Sequence, residues 1–296
     1  MENSFDDFYL NIEPELKKYE RLRKFLLSSA IIIACILAGG IFFLVCKGVL
    51  TFEHSWHGKI LYMTVLFGIF IFWRLKKEFE IRVKEKIIEK FINCFENFGF
   101  ELWQLGESLI DEKTLKSIKI LPKFSESYSD DNFQGHYKGI PVTVSEQKLK
   151  NGVGIYKYNV FEGILIEYFL ENSPFPAEII IRDAGYMPPK GLEKITLEDS
   201  EFEKMFSVYS NDQIESRFVL TAGFMEKLKA LKIIFGAKHI SLYIKDCSIF
   251  IAADIGRDSF NVARLYKRAD DREQFEKMYK QFDFILNIAD LLRLTR

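Results

Sequence analysis

Three carboxylates lie close together in a stretch that we predict to be sheet. Asp130 and Asp131 stand directly before Asn132, and Glu146 lies in the strand predicted to follow. Carboxylates that face each other across neighbouring strands can share the roles of general acid and general base. An Asp-Asp-Asn run is also ordinary turn composition. Asp130, Asp131 and Glu146 are therefore the candidate catalytic residues.

A second group of charged residues lies in the segment NDQIESR. Asp212 follows Ser210 and Asn211 and can cap a turn, and we place Arg217 on a predicted strand. A guanidinium there can hold a carboxylate through two parallel hydrogen bonds. We expect Asp212, Glu215 and Arg217 to form a buried ion pair that fixes a helix onto the sheet. A ligand-binding site is the alternative.

Other signatures of catalysis or of cofactor binding are missing from the sequence. His136 and His239 are about a hundred residues apart and are expected on the surface or hydrogen-bonded in the core. Gly152 and Gly154 lie in a polar turn that no Lys-Ser pair follows, unlike a phosphate-binding loop. The chain has no HExxH motif, no nucleophile elbow and no cysteine pair with zinc spacing. We predict no metal ligand set and no cofactor, and an enzyme is the less favoured interpretation.

The composition excludes one large class of partners. The 296 residues include 41 Lys and Arg and 42 Asp and Glu, which are interleaved and leave a net charge of −1. Such a chain has no basic surface for nucleic acid. The four cysteines, Cys35, Cys46, Cys94 and Cys247, have no disulfide spacing, which favours a reducing compartment.

The candidate residues lie on a predicted antiparallel sheet that begins near residue 109. Short runs of β-branched and aromatic residues predict strands over Asn132–Tyr137, Ile140–Lys148, Lys157–Leu170 and Glu178–Arg182. Lys138-Gly139 and Asn151-Gly152 predict hairpin turns. Residues 172–176 and 186–191 are predicted loops, because proline cannot join a hydrogen-bonded ladder.

The rest of the chain mixes strands with helices. Extended segments are predicted over Phe202–Tyr209 and Ile214–Leu220, a helix capped by Thr221 over Ala222–Phe235, a hairpin of His239–Ile244 and Ser248–Ala253, and a helix over Asp271–Leu294. This order indicates an α+β fold. The soluble region, 108–296, divides into 108–190 and 191–296 unless its strands share one sheet.

The N-terminal part of the chain has the character of a membrane anchor. Residues 25–46 are uncharged, and a helix of that length spans about 33 Å, enough to cross the hydrocarbon core. Residues 60–73 are also uncharged, and a helix that starts at Trp56 predicts a second span over about 56–73, with a buried or interfacial helix as the alternative. Trp56 and Trp73 bracket it as interfacial anchors, and Arg74, Lys76 and Lys77 follow at once.

The segments on either side of this transmembrane hairpin (25–73) are amphipathic. Residues 1–24 predict a helix from about Pro14, and residues 74–98 predict a stalk helix that pairs with it or lies along the soluble domain. Lys and Arg are concentrated in these flanks, so both termini are expected in the cytoplasm. Ala30, Ala34 and Ala38 offer a flat face for close packing against Gly68.

Several segments together resemble a known bacterial family. The runs are YSDDNFQG at 128–135, GIPVTVSEQ at 139–147, VFEG at 160–163 and the long block at 195–228. They are similar to the domain-of-unknown-function family 3137, and with the two N-terminal spans the likeness covers almost the whole chain. The resemblance implies a bacterial inner-membrane protein with a cytoplasmic α+β domain, and it supplies no catalytic residues.

We therefore expect a bacterial inner-membrane protein that presents a cytoplasmic α+β binding or scaffold module. Its expected partners are the lipid bilayer, another membrane or membrane-proximal protein, and further copies of itself. Tethering to a membrane raises the effective concentration of such a module for its partners. The alternative is an unrecognised enzyme that acts on a membrane-proximal substrate.

Overall fold

The computed structural model describes residues 2–46, 56–95, 97–171, 174–185, 187, 189–257, 259–260 and 265–294. The chain forms two compact units. The first contains Met1–Cys94 and Asn261–Phe275, and the second contains Phe95–Phe260 and Glu276–Arg296. Most of the turn expected between the two spans, 47–55, lies outside the described residues.

Two long helices build the first unit. Helix α1 (Glu2–Cys46) joins the amphipathic segment and the first apolar stretch without a break, with Pro14 inside it. Helix α2 (Trp56–Ile92) likewise joins the second apolar stretch to the stalk, and it ends at Ile92 instead of Phe98. The apolar stripe of the stalk is covered by α1, because Phe8 and Phe91 stack edge to face at 5.6 Å and Ile12, Leu16, Val83 and Ile87 are buried. The sequence left open whether the stalk helix pairs with the N-terminal helix or lies along the soluble domain, and in the first unit the two amphipathic helices pair.

One helix among the described residues is long and apolar enough to cross a membrane. It is α1 over Phe5–Phe43, whose most apolar 18-residue window has a mean hydropathy of 2.5 and no buried residue. Ile36 and Phe42 are 67% and 71% exposed. This helix is compatible with a membrane anchor, whereas the two-span hairpin stays a prediction.

The apolar parts of α1 and α2 face each other across an open groove. Ala30, Ala34, Ala38 and Gly68 all line a cavity of about 590 Å³. A Cβ atom added at Gly68 would have no neighbour within 4 Å. The predicted close packing at Gly68 is therefore wrong. Larger side chains in the same groove, including Phe72, keep the helices from the approach that small residues permit.

A nine-stranded antiparallel sheet forms the frame of the second unit. Its strands are β1 (Phe98–Leu105), β2 (Glu126–Tyr137), β3 (Ile140–Asn151), β4 (Tyr158–Phe169), β5 (Phe175–Asp183), β6 (Glu193–Ile195), β7 (Phe206–Ser210), β8 (His239–Asp246) and β9 (Ser248–Asp254). Their order across the sheet is β1-β2-β3-β4-β9-β8-β5-β7-β6. Strand β4 pairs with β9, and β5 pairs with β7 and β8. Strands from 108–190 and 191–296 thus share one sheet, which is the arrangement the sequence left open.

Two parts of the sheet differ from the sequence-based prediction. Strand β1 lies where we expected the end of the stalk helix and an unassigned segment. Pro176, expected in a loop, is the second residue of β5. The register of β5 against β8 is interrupted between Phe175 and Ile179, so the missing N–H of Pro176 is not needed at that point.

Five helices complete the second unit or continue into it. They are α3 (Glu112–Ser117), α4 (Ser200–Met205), α5 (Gln213–Val219), α6 (Ala222–Phe235) and α7 (Arg272–Leu294). The predictions of α6 and α7 are confirmed. The extended assignment of Phe202–Tyr209 is confirmed for Phe206–Tyr209, which lie in β7, and wrong for the residues before them, which lie in α4. The extended assignment of Ile214–Leu220 is wrong, because the segment is mostly α5. Asp199 and Asp212 cap these two short helices and supply the start signal that the β-rich residue types concealed.

Helices cover both faces of the sheet. On one face, Tyr168 of β4 donates a hydrogen bond to Ile285 O of α7 at 2.8 Å, and α7 contacts α6 through Gln281 and Ile234 O at 3.3 Å. On the other face, α3 and its neighbouring loops cover a cluster that includes Leu115, Leu149 and Phe161. The carboxylates of interest lie on the α7 face of β2 and β3.

Candidate functional site

The structure brings the three candidate catalytic carboxylates together. Oxygen atoms of Asp130, Asp131 and Glu146 all lie within 4.8 Å of one another. The cause is a bulge in β2 between Ser129 and Asn132, where the register against β3 shifts. A bulge inserts unpaired residues and redirects their side chains. Asp131 and Glu146 are 0% and 6% exposed, so the group lies inside the fold.

Backbone and indole N–H groups hold two of these carboxylates. Glu146 Oε1 accepts a hydrogen bond from Ser259 N at 2.6 Å, and Asp131 Oδ1 accepts one from Trp103 Nε1 at 3.3 Å. The carbonyl oxygen of Asp130 accepts from Gly106 N at 2.8 Å, which fixes the bulge against the end of β1. The positions of the oxygens are therefore set by β1, β2, β3 and the segment after β9.

An array of carboxylates at this spacing has two chemical uses. Hard divalent cations such as Mg²⁺ and Ca²⁺ prefer carboxylate oxygens, and Asp130, Asp131 and Glu146 are the residues that could hold one. Without a cation, carboxylates this close can share a proton and act as an acid and base pair. The sequence indicated only the second use.

A buried polar network lies behind the carboxylates, on the opposite face of the sheet. Gln147 Nε2 donates to Ser145 Oγ and to Ser108 Oγ, each at 2.6 Å, and Ser145 bonds to Asn132. Asn132 Nδ2 in turn donates to Glu107 O at 2.8 Å. The network connects Asn132, at the end of the bulge, to β3 and to the segment after β1.

The second candidate group lies at the start of α5 and on that helix. Asp212 Oδ1 accepts from Ile214 N at 2.9 Å and from Glu215 N at 3.1 Å, which makes Asp212 the N-cap of α5. Arg217 lies on that helix and is exposed, and its guanidinium contacts only Thr196 O, at 3.4 Å, among the described hydrogen bonds. The expected buried ion pair is therefore wrong for Arg217, since a seven-residue helix replaces the predicted strand.

The two histidines lie apart from the carboxylates. His136 and Glu101 are 2.7 Å apart on the β1–β2 edge, and His239 Nδ1 lies 2.6 Å from Asp183 Oδ2. Both histidines are exposed, as expected. His239 borders a cavity of about 220 Å³ whose polar residues also include Arg182, Ser241 and Asp254. No sequence motif indicated this cavity, because its residues come from β5, β8 and β9.

The predicted membrane-interface residues extend along α2. The helix begins at Trp56, whose side chain is outside the described part of the structure. Trp73 is 55% exposed, and Lys77 Nζ lies 5.7 Å from the centre of its ring. Arg74 is exposed, and Lys76 Nζ lies 3.9 Å from Glu80 Oε1. An exposed tryptophan followed by cations is typical of a membrane boundary.

A comparison with known families identifies part of the second unit. Residues 159–294 match the model of the family described as Protein of unknown function (DUF3137). Over this segment the chain is similar to the DUF3137 family. No curated protein and no solved structure matches the chain.

The DUF3137 segment runs from β4 to the end of α7 and contains the α5 group. It supplies most of the lining of the 220 Å³ cavity, but Ile120, Leu121 and Pro122 of that lining precede it. The three carboxylates precede it, on β2 and β3. The stretches at 128–135 and 139–147, which we compared with the family, also lie outside the matched residues. The DUF3137 assignment thus applies to the C-terminal half of the sheet and its helices, and it assigns no activity to the carboxylates.

Proposed function

We propose that this protein is anchored in a bacterial inner membrane by a two-helix hairpin and presents its α+β unit to the cytoplasm as a binding or scaffold module. The supporting observation is the exposed apolar surface of α1, whose 18-residue window of mean hydropathy 2.5 has no buried residue. Water does not tolerate so large an apolar surface, whereas lipid does. Lipid also suits this helix because its backbone hydrogen bonds are internal.

The distribution of cations supports the orientation. Lys17, Lys18, Arg21, Arg23 and Lys24 precede the first apolar stretch, and Arg74, Lys76 and Lys77 follow the second. The positive-inside rule places both flanks in the cytoplasm. Reporter enzymes fused separately to the N-terminus and to the C-terminus test the topology. Two spans leave both termini in the cytoplasm, whereas a single span leaves them on opposite sides of the membrane. Active alkaline phosphatase fused to the C-terminus would refute the proposed orientation.

A matched pair of substitutions tests the anchor itself. Ile36 and Leu10 lie on the same helix and are 67% and 61% exposed, but only Ile36 belongs to the apolar stretch. In lipid, Ile36→Arg should cost about 3 kcal/mol of insertion free energy, whereas Leu10→Arg should cost almost nothing. The measurement is the fraction of protein that stays with membranes after alkaline carbonate extraction. Equal membrane fractions for the two variants, or a wild-type chain that is freely soluble, would refute the anchor.

The shape of the second unit supports binding more than catalysis. Asp131 and Glu146 are buried and Asp130 is half-buried, and the 220 Å³ cavity contains neither these carboxylates nor Arg217. Exposed apolar side chains lie instead along α5, where Ile214 and Phe218 are 84% and 61% exposed. Contiguous exposed apolar surface is typical of interaction sites. Partners in or near the membrane, including further copies of this chain, fit a tethered module best.

The carboxylate group supports a second candidate, an enzyme that acts on a membrane-proximal substrate. Three carboxylates with oxygens within 4.8 Å are the observation that favours it. Binding of Mn²⁺ to the full chain in detergent, followed by electron paramagnetic resonance, tests whether the group takes a cation. Asp130→Asn should abolish such binding, whereas Asp212→Asn, which keeps its helix cap, should leave it unchanged. Absence of binding by the wild-type protein would remove the metal-dependent form of this candidate.

A further inference from the structure

The connection between β3 and β4 carries an exposed apolar tip. It consists of Val153, Ile155, Tyr156 and Tyr158, which are 84%, 90%, 81% and 60% exposed. Single exposed apolar residues are normal on a protein surface. Four within six residues at the end of a hairpin form a continuous patch, which is uncommon without a partner. We call these four residues the hairpin tip.

The hairpin tip is held in place by its own backbone. Gly152 has a φ of +118°, and a Cβ atom there would lie 2.5 Å from Tyr156 O, so only glycine fits. Ser125 Oγ donates a hydrogen bond to Gly152 O at 3.1 Å, and Tyr156 N donates to Val153 O at 3.2 Å. The apolar side chains are therefore kept on the outside of an ordered turn and do not fold back onto the sheet.

Aromatic and charged side chains lie next to the hairpin tip, on the strands that lead to it and away from it. Lys150 Nζ lies 4.9 Å from the ring centre of Tyr128, which is 49% exposed. Two further lysines are paired with glutamates, Lys157 with Glu126 at 2.5 Å and Lys148 with Glu162 at 2.8 Å. These three lysines and two glutamates leave one net positive charge. The hairpin thus changes from aliphatic to aromatic to weakly cationic along its length.

We propose that the hairpin tip inserts into the interfacial region of a lipid bilayer that contains anionic headgroups. Val153 and Ile155 enter the acyl boundary, the tyrosines lie at headgroup level, and Lys150 faces the lipid phosphates. This order of side chains is the one found at membrane interfaces. The proposal rests on the proposed membrane anchor, which keeps a bilayer within reach of the second unit.

Size favours lipid over a protein partner. A stable protein–protein interface buries about 800 Å² on each side, more than a convex tip of four side chains offers. A bilayer needs less, because shallow insertion adds to an anchor that already supplies the affinity.

The opposite end of the same hairpin strand provides an internal control. Strand β3 has 12 residues and spans about 40 Å. At its far end Lys138 N donates to Asn97 O, close to where the chain enters the second unit, and His136 is exposed beside it. If the hairpin tip meets the bilayer, a probe at His136 should remain in water.

The experiment uses the full chain with its four cysteines replaced by alanine. Ile155→Cys or His136→Cys is labelled with an environment-sensitive fluorophore and reconstituted into vesicles of phosphatidylcholine and phosphatidylglycerol, with a doxyl quencher on the lipids. We expect blue-shifted and strongly quenched emission from the label at 155 and emission typical of water from the label at 136. Adding Val153→Asp should return the label at 155 to water, and pure phosphatidylcholine should lower the inserted-to-free ratio about fivefold for one net charge.

Each of the other possible results leads to a single conclusion. Protein that floats with the vesicles but has an unquenched, water-like label at 155 overturns the insertion and leaves the anchor intact. A blue-shifted label that the lipid quencher does not reach shows that protein covers the hairpin tip, and it also overturns the proposal. Protein that fails to float with vesicles refutes the anchor and the insertion together. Val153, Ile155 and His136 are exposed, so circular dichroism should show the same fold for these variants as for the cysteine-free chain.

Discussion

A buried ion pair between Glu20 and Arg23 offers the sharpest test of the packing in the first unit. Glu20 accepts hydrogen bonds from Arg23 Nε and Nη2, each at 2.7 Å, and from Ala269 N at 3.0 Å. Arg23 Nη1 donates to Leu265 O at 3.0 Å, so the pair ties α1 to the segment that precedes α7. The side chains of Glu20 and Arg23 are only 6% and 11% exposed.

Replacing Glu20 with alanine should be costly. It removes the partner of a buried guanidinium and leaves the N–H of Ala269, which is 2% exposed, without its acceptor. Breaking a buried pair from one side costs about 3–5 kcal/mol, and we take the lower end because Lys24 Nζ, 69% exposed, lies 3.8 Å from Glu20 Oε1 and brings water close to the pair. A loss of about 3 kcal/mol corresponds to a roughly 100-fold fall in the protection of the Ala269 amide against hydrogen exchange. The same loss lowers the melting temperature by roughly 6–12 °C.

The control is Glu13→Ala on the same helix. Glu13 pairs with Lys17 at 2.8 Å, but the two side chains are 35% and 61% exposed, so this substitution should cost less than about 0.5 kcal/mol. Hydrogen exchange with mass spectrometry on the full chain in mild detergent measures both variants. Equal protection of Ala269 in the two variants would refute a stabilising role for the buried pair.

The same pair predicts a pH dependence. The hydrogen bonds from Arg23 hold the pKa of the Glu20 carboxyl below its ordinary value. The unfolded state therefore takes up the proton first as the pH falls. The contribution of Glu20 is full above the ordinary carboxyl pKa and declines as the pH drops through the lower pKa of the folded state. Glu20→Gln should lose this dependence, and an unchanged acid profile in that variant would contradict the assignment.

Three further predictions concern single positions. Asp212→Ala should lower the free energy of unfolding by about 1 kcal/mol, the contribution of a helix cap, and so lower the melting temperature. Asp212→Asn should not, and equal melting temperatures for the two variants would contradict the capping role. Burial raises the pKa of the Cys94 thiol to about 12, so iodoacetamide at pH 8 should alkylate it only after unfolding; rapid alkylation of the folded chain, followed by mass spectrometry, would contradict this. Gly163→Ala would place a Cβ atom 1.9 Å from Ala253 O and should lower the free energy of unfolding by more than about 3 kcal/mol. In the control Gly99→Ala, the added Cβ atom has its nearest neighbour at 3.7 Å, so this variant should fold normally. Similar melting temperatures for the two variants would contradict the close approach of β4 and β9.

Local signals in the sequence predicted the elements whose ends are marked. Thr221 caps α6, Gly236 ends it in a left-handed conformation, and an apolar stripe lies between them. All three signals agree, and the helix has the predicted bounds. The turn at Lys138 and Gly139 was equally well marked, since both residues have positive φ. Such elements depend on their own residues more than on distant contacts.

The elements that depend on distant contacts were harder to predict. The segment of α5 has exposed Ile214 and Phe218, whose types favour a strand until the cap at Asp212 is recognised. Strand β1 exists because β2 offers it an edge, and no pattern within its own sequence marks that edge.

The candidate site shows the same division. Because the sequence predicts neighbouring strands here, we expected that Asp130, Asp131 and Glu146 could approach one another. The sequence did not reveal the bulge that turns their oxygens together, nor the bond from Ser259 N to Glu146. A bulge is set by the pairing of two strands, so it cannot be located from one strand alone.

The order in which the ribosome makes the strands affects how the middle of the sheet folds in the cell. Strand β4 has its partner β3 at once, but 78 residues separate its end at Phe169 from the start of its other neighbour, β9, at Ser248. At 5–20 residues per second the ribosome needs about 4–16 s to supply it. During that interval the apolar run of β4 is an open edge that can capture other nascent chains. Production of this protein should therefore depend on chaperones that bind ribosome-attached chains, and slow translation between β4 and β9 should increase its aggregation.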